Sequence, residues 1–244
     1  MNELSKFNIP VVLFIFKRSE TTIKTIQILK KINARKIILV GDYGRNNEEN
    51  KIVEKVRKEV LSAIDWDCDV EKRFAAKNEG VFNQIGLGAC DILKKEGKAI
   101  FLEDDNLPEE SFFPYCEYLL DKYENNEKVL WICGTNYLGK YSPKDGSSYM
   151  FTKQLLPCGW ASWGKKFNKY YDKELSFLDK KAEIKKLRNQ YVSCRLFRQQ
   201  ITDAKNERIR HKNNERFISW DYHMIMSVVK NNLYGIFFFY ICNI

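Results

Sequence analysis

The sequence predicts an α/β fold built on a mainly parallel, doubly wound sheet, and three observations predict it. Apolar runs alternate with helix-period stretches over the first 133 residues. The runs are apolar at nearly every position, as strands covered on both faces are, and strands alternating with helices mark βαβ units. The third observation is size: 244 residues, 44% hydrophobic and 30% charged, suit one large α/β domain. Disordered, collagen-like and small disulfide-stapled chains are excluded on the same composition.

The elements follow in order. Pro10 to Phe16 is the first buried strand. Residues 20–33 read as a helix, with Ile23, Ile26, Ile28, Leu29 and Ile32 near helical spacing and Ser19 as its N-cap. Lys36 to Val40 is the second strand, and residues 47–64 are a helix with a stripe of Ile52, Val53, Val56, Val60 and Leu61. Cys68 to Phe74 is the third strand, 82–96 a third helix, and Ala99 to Leu102 the fourth strand. A helix over 109–125 and a strand from Val129 to Cys133 complete the alternation. The whole chain, 1–244, is expected to form one domain. Its 1–135 half would hold the main ligand and its 136–244 half a second substrate.

Composition narrows the function. The seven cysteines form no C-x-x-C pair, which speaks against a zinc ribbon or a thioredoxin site and suits a reducing, cytoplasmic setting. Two histidines exclude a multi-histidine metal centre. The apolar runs Ile9 to Phe16 and Leu233 to Ile244 are too short to span a bilayer, and the first has no cleavage site of a secretory signal. Residues 1–150 carry 23 Lys and Arg against 24 Asp and Glu, while 151–244 carry 18 against 8, so the net charge of +9 lies wholly in the last part. A basic surface of this kind suits a phosphate-bearing substrate, an anionic membrane surface or nucleic acid, or is a solvated helical face. No nucleic-acid-binding module is recognisable within 165–216, so nucleic acid is not the expected partner.

In open parallel sheets ligands bind outside the carboxyl ends of the strands. After the fourth strand stands Glu103-Asp104-Asp105. Adjacent carboxylates raise each other's pKa unless a cation neutralises them, and Mg²⁺ or Mn²⁺ does so with one or two carboxylates plus substrate phosphates. The alternative is a solvated acidic turn before the next helix. After the second strand, Gly41-Asp42-Tyr43-Gly44-Arg45 offers a carboxylate for a ribose or base and an Arg for a phosphate, or is a plain turn. Lys72-Arg73 and Lys77-Asn78-Glu79-Gly80 follow the third strand. Neither G-x-G-x-x-G after the first strand nor a P-loop is present, which disfavours a classical dinucleotide-binding fold and a P-loop ATPase. Pro157 to Trp163 holds two tryptophans around small residues, either a stacking platform for a sugar or base or a hydrophobic lid on the sheet. In Ser219-Trp220-Asp221-Tyr222 the Asp is either a general base or a helix N-terminal charge.

Together these segments resemble the GT-A-fold nucleotide-sugar glycosyltransferases, the bacterial family-2-like enzymes of surface-polysaccharide loci above all. They are also similar to the N-acetylglucosaminyltransferase I type. The resemblance rests on P-V-x-x-x-x-F-x-R (Pro10 to Arg18), D-W-D-C-x-V (Asp65 to Val70), K-N-x-G (Lys77 to Gly80), I-x-L-E-D-D-x-L-P-x-x-S-F-F (Ile100 to Phe113), G-W-A-S-W (Gly159 to Trp163) and W-D-Y (Trp220 to Tyr222). It implies a UDP-sugar across the ends of the first four strands. Arg18, Asp42 and Arg45 would lie near its nucleoside or phosphates, with Arg73, Lys77 and Asn78 as neighbours. Asp105 would bind Mn²⁺ or Mg²⁺ with Glu103 in support, and Asp104 would face the donor. Asp221 would deprotonate an acceptor hydroxyl with inversion at the anomeric centre, and Trp160 and Trp163 would border a glycan or lipid-linked acceptor. Contact of 165–216 with the inner face of the membrane is a further expectation. Relatives usually continue past the strand that follows W-D-x, so a short C-terminus and an exposed aromatic run from Phe237 are expected. A noncatalytic remnant that binds nucleotide or a partner, and a sugar nucleotidyltransferase, are the competing readings. The latter would want a Gly-rich loop where Lys17-Arg18-Ser19-Glu20 stands.

Overall fold

The computed structural model describes residues 6–135, 143–213 and 215–238. β1 (Val11–Ile15), β2 (Lys36–Gly41), β3 (Asp69–Phe74) and β4 (Lys98–Glu103) pair in parallel in the order β3-β2-β1-β4. α1 (Ser19–Lys31), α2 (Asn47–Ser62) and α3 (Gly88–Glu96) connect them, and α4 (Phe112–Lys122) follows β4. β5 (Val129–Cys133) is the fifth strand in sequence, as the apolar pattern requires, but it does not lie beside β4. Between them runs β7 (Trp160–Trp163), antiparallel to both. β8 (Tyr234–Phe238) pairs in parallel with β5, and β6 (Tyr149–Thr152) closes the edge antiparallel to β8. Strands from both halves of the chain thus make one eight-stranded sheet, six of them parallel.

Side-chain alternation on β1 and β2 divides the interior into two cores. Val11, Leu13, Ile15, Ile37 and Leu39 pack with α1, α2 and α4 on one face. Val12, Phe14, Ile38 and Val40 pack on the other face with α3, α5 (Gly164–Tyr170) and α8 (Trp220–Lys230). Full burial on both faces is why these strands read as unbroken apolar runs. The helix pair α6 (Lys181–Arg188) and α7 (Cys194–Lys212) is joined to this second core through Leu187, Ile201 and Ala204.

Three expectations change at this level. Pro157 to Trp163 is not a loop over the site, because its tryptophans lie in the buried strand β7. Trp160 is 1% exposed and stacks between Phe101 (3.9 Å between ring centres) and Trp131 (4.1 Å). Trp163 is 3% exposed, with its indole N–H donated to the Leu120 carbonyl. Neither ring is open to an acceptor. Ser19 starts α1 rather than capping it; Arg18 holds the cap position without a side-chain bond. Phe237 is buried within β8 instead of opening an exposed aromatic run; Phe239 to Ile244, and Asn136 beyond β5, lie outside the described residues.

Candidate active site

The carboxyl ends of β1, β2 and β4 open into a cavity of ≈ 560 Å³. Phe14, Val40 and Ile85 give it apolar walls, and Lys17, Arg18, Arg45, Asp42, Asn78, Glu103 and Asp104 supply its polar groups. One wall is a π-helical turn, Phe82–Leu87, which continues into α3. This turn lies close against α8: a Cβ on Gly86 would stand 3.1 Å from Cβ of Trp220 and 2.5 Å from the Tyr171 hydroxyl. Only glycine fits there, so Gly86 sets the distance between the cavity wall and the start of α8.

The acidic turn after β4 is held from several sides. Oδ2 of Asp104 accepts the backbone N–H groups of Phe16, Lys17 and Arg18 at 3.1–3.2 Å, and Oδ1 accepts from the Arg18 guanidinium at 2.9 Å. The same Arg18 nitrogen meets Oδ2 of Asp105 at 2.9 Å. Asn106 fixes the next residue: its Oδ1 accepts from the backbone N–H of Glu103 (2.9 Å) and of Gly159 (3.1 Å), and its Nδ2 donates to Asp105 (3.2 Å). Three backbone donors converging on one carboxylate make the nest in which a β1 turn without glycine can close.

Asp42 does the same for the next loop. Its carboxylate accepts the backbone N–H groups of Tyr43, Glu79 and Gly80, each at 2.8 Å, and the Asn78 side-chain amide at 3.1 Å. Gly80 takes the positive φ (+81°) that turns its N–H inward. Beneath, the buried Arg57 donates to the carbonyls of Gly41 and Asp42 and lies over the Phe74 ring. Asp42 therefore borders the cavity with its acceptor positions taken by the protein, and is not open to a ribose as the sequence reading expected; Asp104 has its Oδ2 filled by backbone and its Oδ1 held, among the described residues, by Arg18 alone.

Two further expectations fail for geometric reasons. Arg73 turns away on β3 and donates to Glu71 at 2.7 Å, and Lys77 is an exposed side chain 3.7 Å from Glu79; neither lines the cavity. Arg18, Arg45 and Asn78 do line it. Arg45 and Lys17 share Glu49, and those two cations hold its carboxyl well below the usual range.

Glu103 lines the cavity and sits largely buried among carboxylates. Burial, then Asp105, Asp104 and Asp221, push its carboxyl up to about 7, against a smaller opposing effect of Arg18. Asp221 thus stands within electrostatic reach of the acidic turn although it lies 118 positions beyond Glu103 in the chain. It occupies the first turn of α8, capped by Ser219, whose hydroxyl accepts the Tyr222 N–H (3.1 Å) and donates to Asp221 Oδ1. A helix N-terminus favours that negative charge. Among the described residues no three His, Cys, Asp or Glu form a cluster that would hold a metal ion. Glu103 and Asp105 nevertheless offer hard oxygen donors, and the raised Glu103 carboxyl shows that Arg18, paired with Asp104 and Asp105, does not offset the acidic turn at that position. That donor set fits a divalent cation carried in by phosphates better than a resident one.

Sequence reading missed Arg57, Asn106, Gln84 and Arg216. Arg216 donates to the Asn78 carbonyl at 2.6 Å and so ties the basic region to the cavity loop. None of the four has a local pattern to reveal it: Arg57, Asn106 and Arg216 act on backbone distant in sequence, and Gln84 lines the cavity from the π-helical turn.

With the geometry in hand, comparison with known proteins adds the following. No family model matches the chain. No curated protein matches it either. Among solved structures, 4-diphosphocytidyl-2C-methyl-D-erythritol synthase from Anaerococcus prevotii DSM 20548 is similar over 70% of this chain and 76% of its own, at 12% identity and a TM-score of 0.39. The bifunctional glycosyltransferase WbbM is similar over 72% of this chain and 35% of its own, at 11% identity and a TM-score of 0.37. The chain spans about a third of WbbM. At these scores both likenesses stop at general architecture, a helix-flanked mixed sheet.

Proposed function

We propose that this protein is a glycosyltransferase that moves a sugar from a nucleotide-sugar, a UDP-sugar, to a hydroxyl of a glycan or lipid-linked acceptor in surface-polysaccharide synthesis. The observation that carries the reading is the ≈ 560 Å³ cavity at the carboxyl ends of β1, β2 and β4, rimmed by Lys17, Arg18 and Arg45 and faced by the acidic turn. It has the size of a small-molecule site and lies where open α/β sheets bind ligands. The cations would meet the diphosphate, with Arg18 exchanging part of its hold on Asp105 for a phosphate oxygen. Asp105 and Glu103 would hold Mn²⁺ or Mg²⁺, which when bound offsets the charge developing on the leaving diphosphate. Asp221 would accept the proton of the acceptor hydroxyl as its oxygen bonds to the anomeric carbon and the bond to the diphosphate breaks, inverting that centre. The Ser219 hydroxyl and the helix N-terminus hold the Asp221 carboxylate in place for this.

A second reading, nucleotide binding without transfer, is favoured by the occupied acceptor positions of Asp42 and Asp104. Release of UDP from UDP-sugars in the presence of Mn²⁺ separates the two. Under transfer, the wild type turns over and Asp221→Asn loses roughly 10²–10⁴-fold in rate with UDP affinity kept. A wild type that binds UDP and never releases sugar supports the second reading.

A further inference from the structure

The pairing of charges on α6 and α7 points to a surface that the proposed transfer does not use. Residues 181–216 hold 11 Lys and Arg against 4 Asp and Glu. All four acids are engaged. Glu183 pairs with Lys180 and Lys230, and Glu215 with Arg210. Asp203 accepts from the Tyr222 hydroxyl, and the buried Glu207 accepts from the backbone N–H of Ile218. The unpaired charges left over, among the described residues, are all cations. On α7, Arg195, Arg198, Lys205 and Lys212 are exposed and make no ion pair. They recur at steps of three or seven, so they share one stripe along a helix of about 28 Å. On α6, Lys181, Lys185 and Lys186 are exposed and equally without a partner.

Apolar side chains stand among these cations. Val192, just before α7, is 105% exposed, and Ile209 on the stripe is 56% exposed. A helix that keeps its own core contact through Ile201 and Ala204 while presenting cations mixed with aliphatics has the make-up of an interfacial element. We propose that α7, entered through Val192, lies on a membrane surface rich in anionic lipid. The cations would meet the headgroups, and Val192 at the entry to the helix and Ile209 on the stripe would enter the acyl boundary. Charge complementarity alone would also suit a nucleic acid or an acidic glycan; the exposed aliphatics favour a bilayer, where their burial adds to the attraction.

Co-sedimentation of the full chain with vesicles tests this, using phosphatidylcholine alone and a mixture with phosphatidylglycerol, at low and physiological salt. Binding to the anionic vesicles should exceed binding to the neutral ones at least tenfold. Lys205→Glu with Lys212→Glu should weaken it at least tenfold, and Val192→Asp severalfold, each variant keeping the wild-type melting temperature. These positions touch neither core nor cavity, so nucleotide binding stays unchanged and the outcome is independent of the transferase reading. Equal binding to both vesicle types overturns the proposal. So does binding to single-stranded DNA or heparin that is tighter than to anionic vesicles and indifferent to Val192→Asp.

Discussion

Around the cavity, each loop carboxylate is answered by several donors: Asp104 by three backbone N–H groups and Arg18, Asp42 by three backbone N–H groups and Asn78. Along α7 the reverse holds, and four exposed cations have no acid to meet them. The cavity half spends its charge on holding β1, β2 and β4 loops in one shape. The helical half leaves the α7 stripe facing outward and is anchored by Leu187, Ile201 and Ala204 together with Glu207 on the Ile218 N–H and Arg208 on the Leu175 carbonyl. Charge next to a site is thus not the same as charge available to a ligand. In this protein Asp42 and Asp104 shape the cavity, Glu103 lines it, Asp105 stands paired with Arg18 and Asn106, and Arg45 lines it while bound to Glu49.

The contrast sets an order of expected effects. The largest belongs to the stack that joins both halves: Trp160→Ala should cost about 4 kcal/mol, read as a fall in melting temperature of roughly 10 °C. Asp104→Ala should follow at about 3 kcal/mol, because it strands three backbone donors of the β1 turn, and it should abolish nucleotide binding as well. A melting temperature within 1 °C of wild type would mean that the carboxylate does not hold the β1 turn.

Next comes a pH effect. His223 is buried among Phe82, Phe217 and Tyr171, its Nδ1–H donated to the Asp172 carbonyl and its Nε2 without a partner. Burial pulls its pKa from 6.5 down to about 4, against a smaller opposing pull from Asp172. Between those values the unfolded chain binds a proton that the folded chain refuses, so stability falls as pH drops from 6.5 towards 4. Chemical unfolding at pH 7 and pH 4.5 should show a loss of about 2 kcal/mol from this group, absent in His223→Gln. The smallest effect is on the helical surface, where Arg195→Ala should leave the melting temperature within about 1 °C.

Much of the fold is legible in the sequence, for a physical reason. β1, β2, β4 and β5 are buried on both faces, so their apolar runs mark them to within a residue or two, as Val129–Cys133 shows. β7 escaped because Trp-Ala-Ser-Trp is four residues long and flanked by Gly159 and Gly164. Its place between β4 and β5 is set by antiparallel pairing across 60 residues of chain. The cavity residues Arg18, Arg45, Asn78 and Glu103 were legible because they follow strands. The spending of Asp42 and Asp104 on backbone amides was not, since a carboxylate reads the same whether it faces a ligand or a loop. Nor was Asn106, whose partners include Gly159 far along the chain.

The central claim is that this cavity takes a nucleoside diphosphate together with a divalent cation. Calorimetric titration of UDP into the wild type and into Asp105→Ala, each with and without Mn²⁺, tests it most directly. The account predicts binding that depends on Mn²⁺ in the wild type and is lost in the variant at an unchanged melting temperature. No heat from folded wild type under either condition would contradict it.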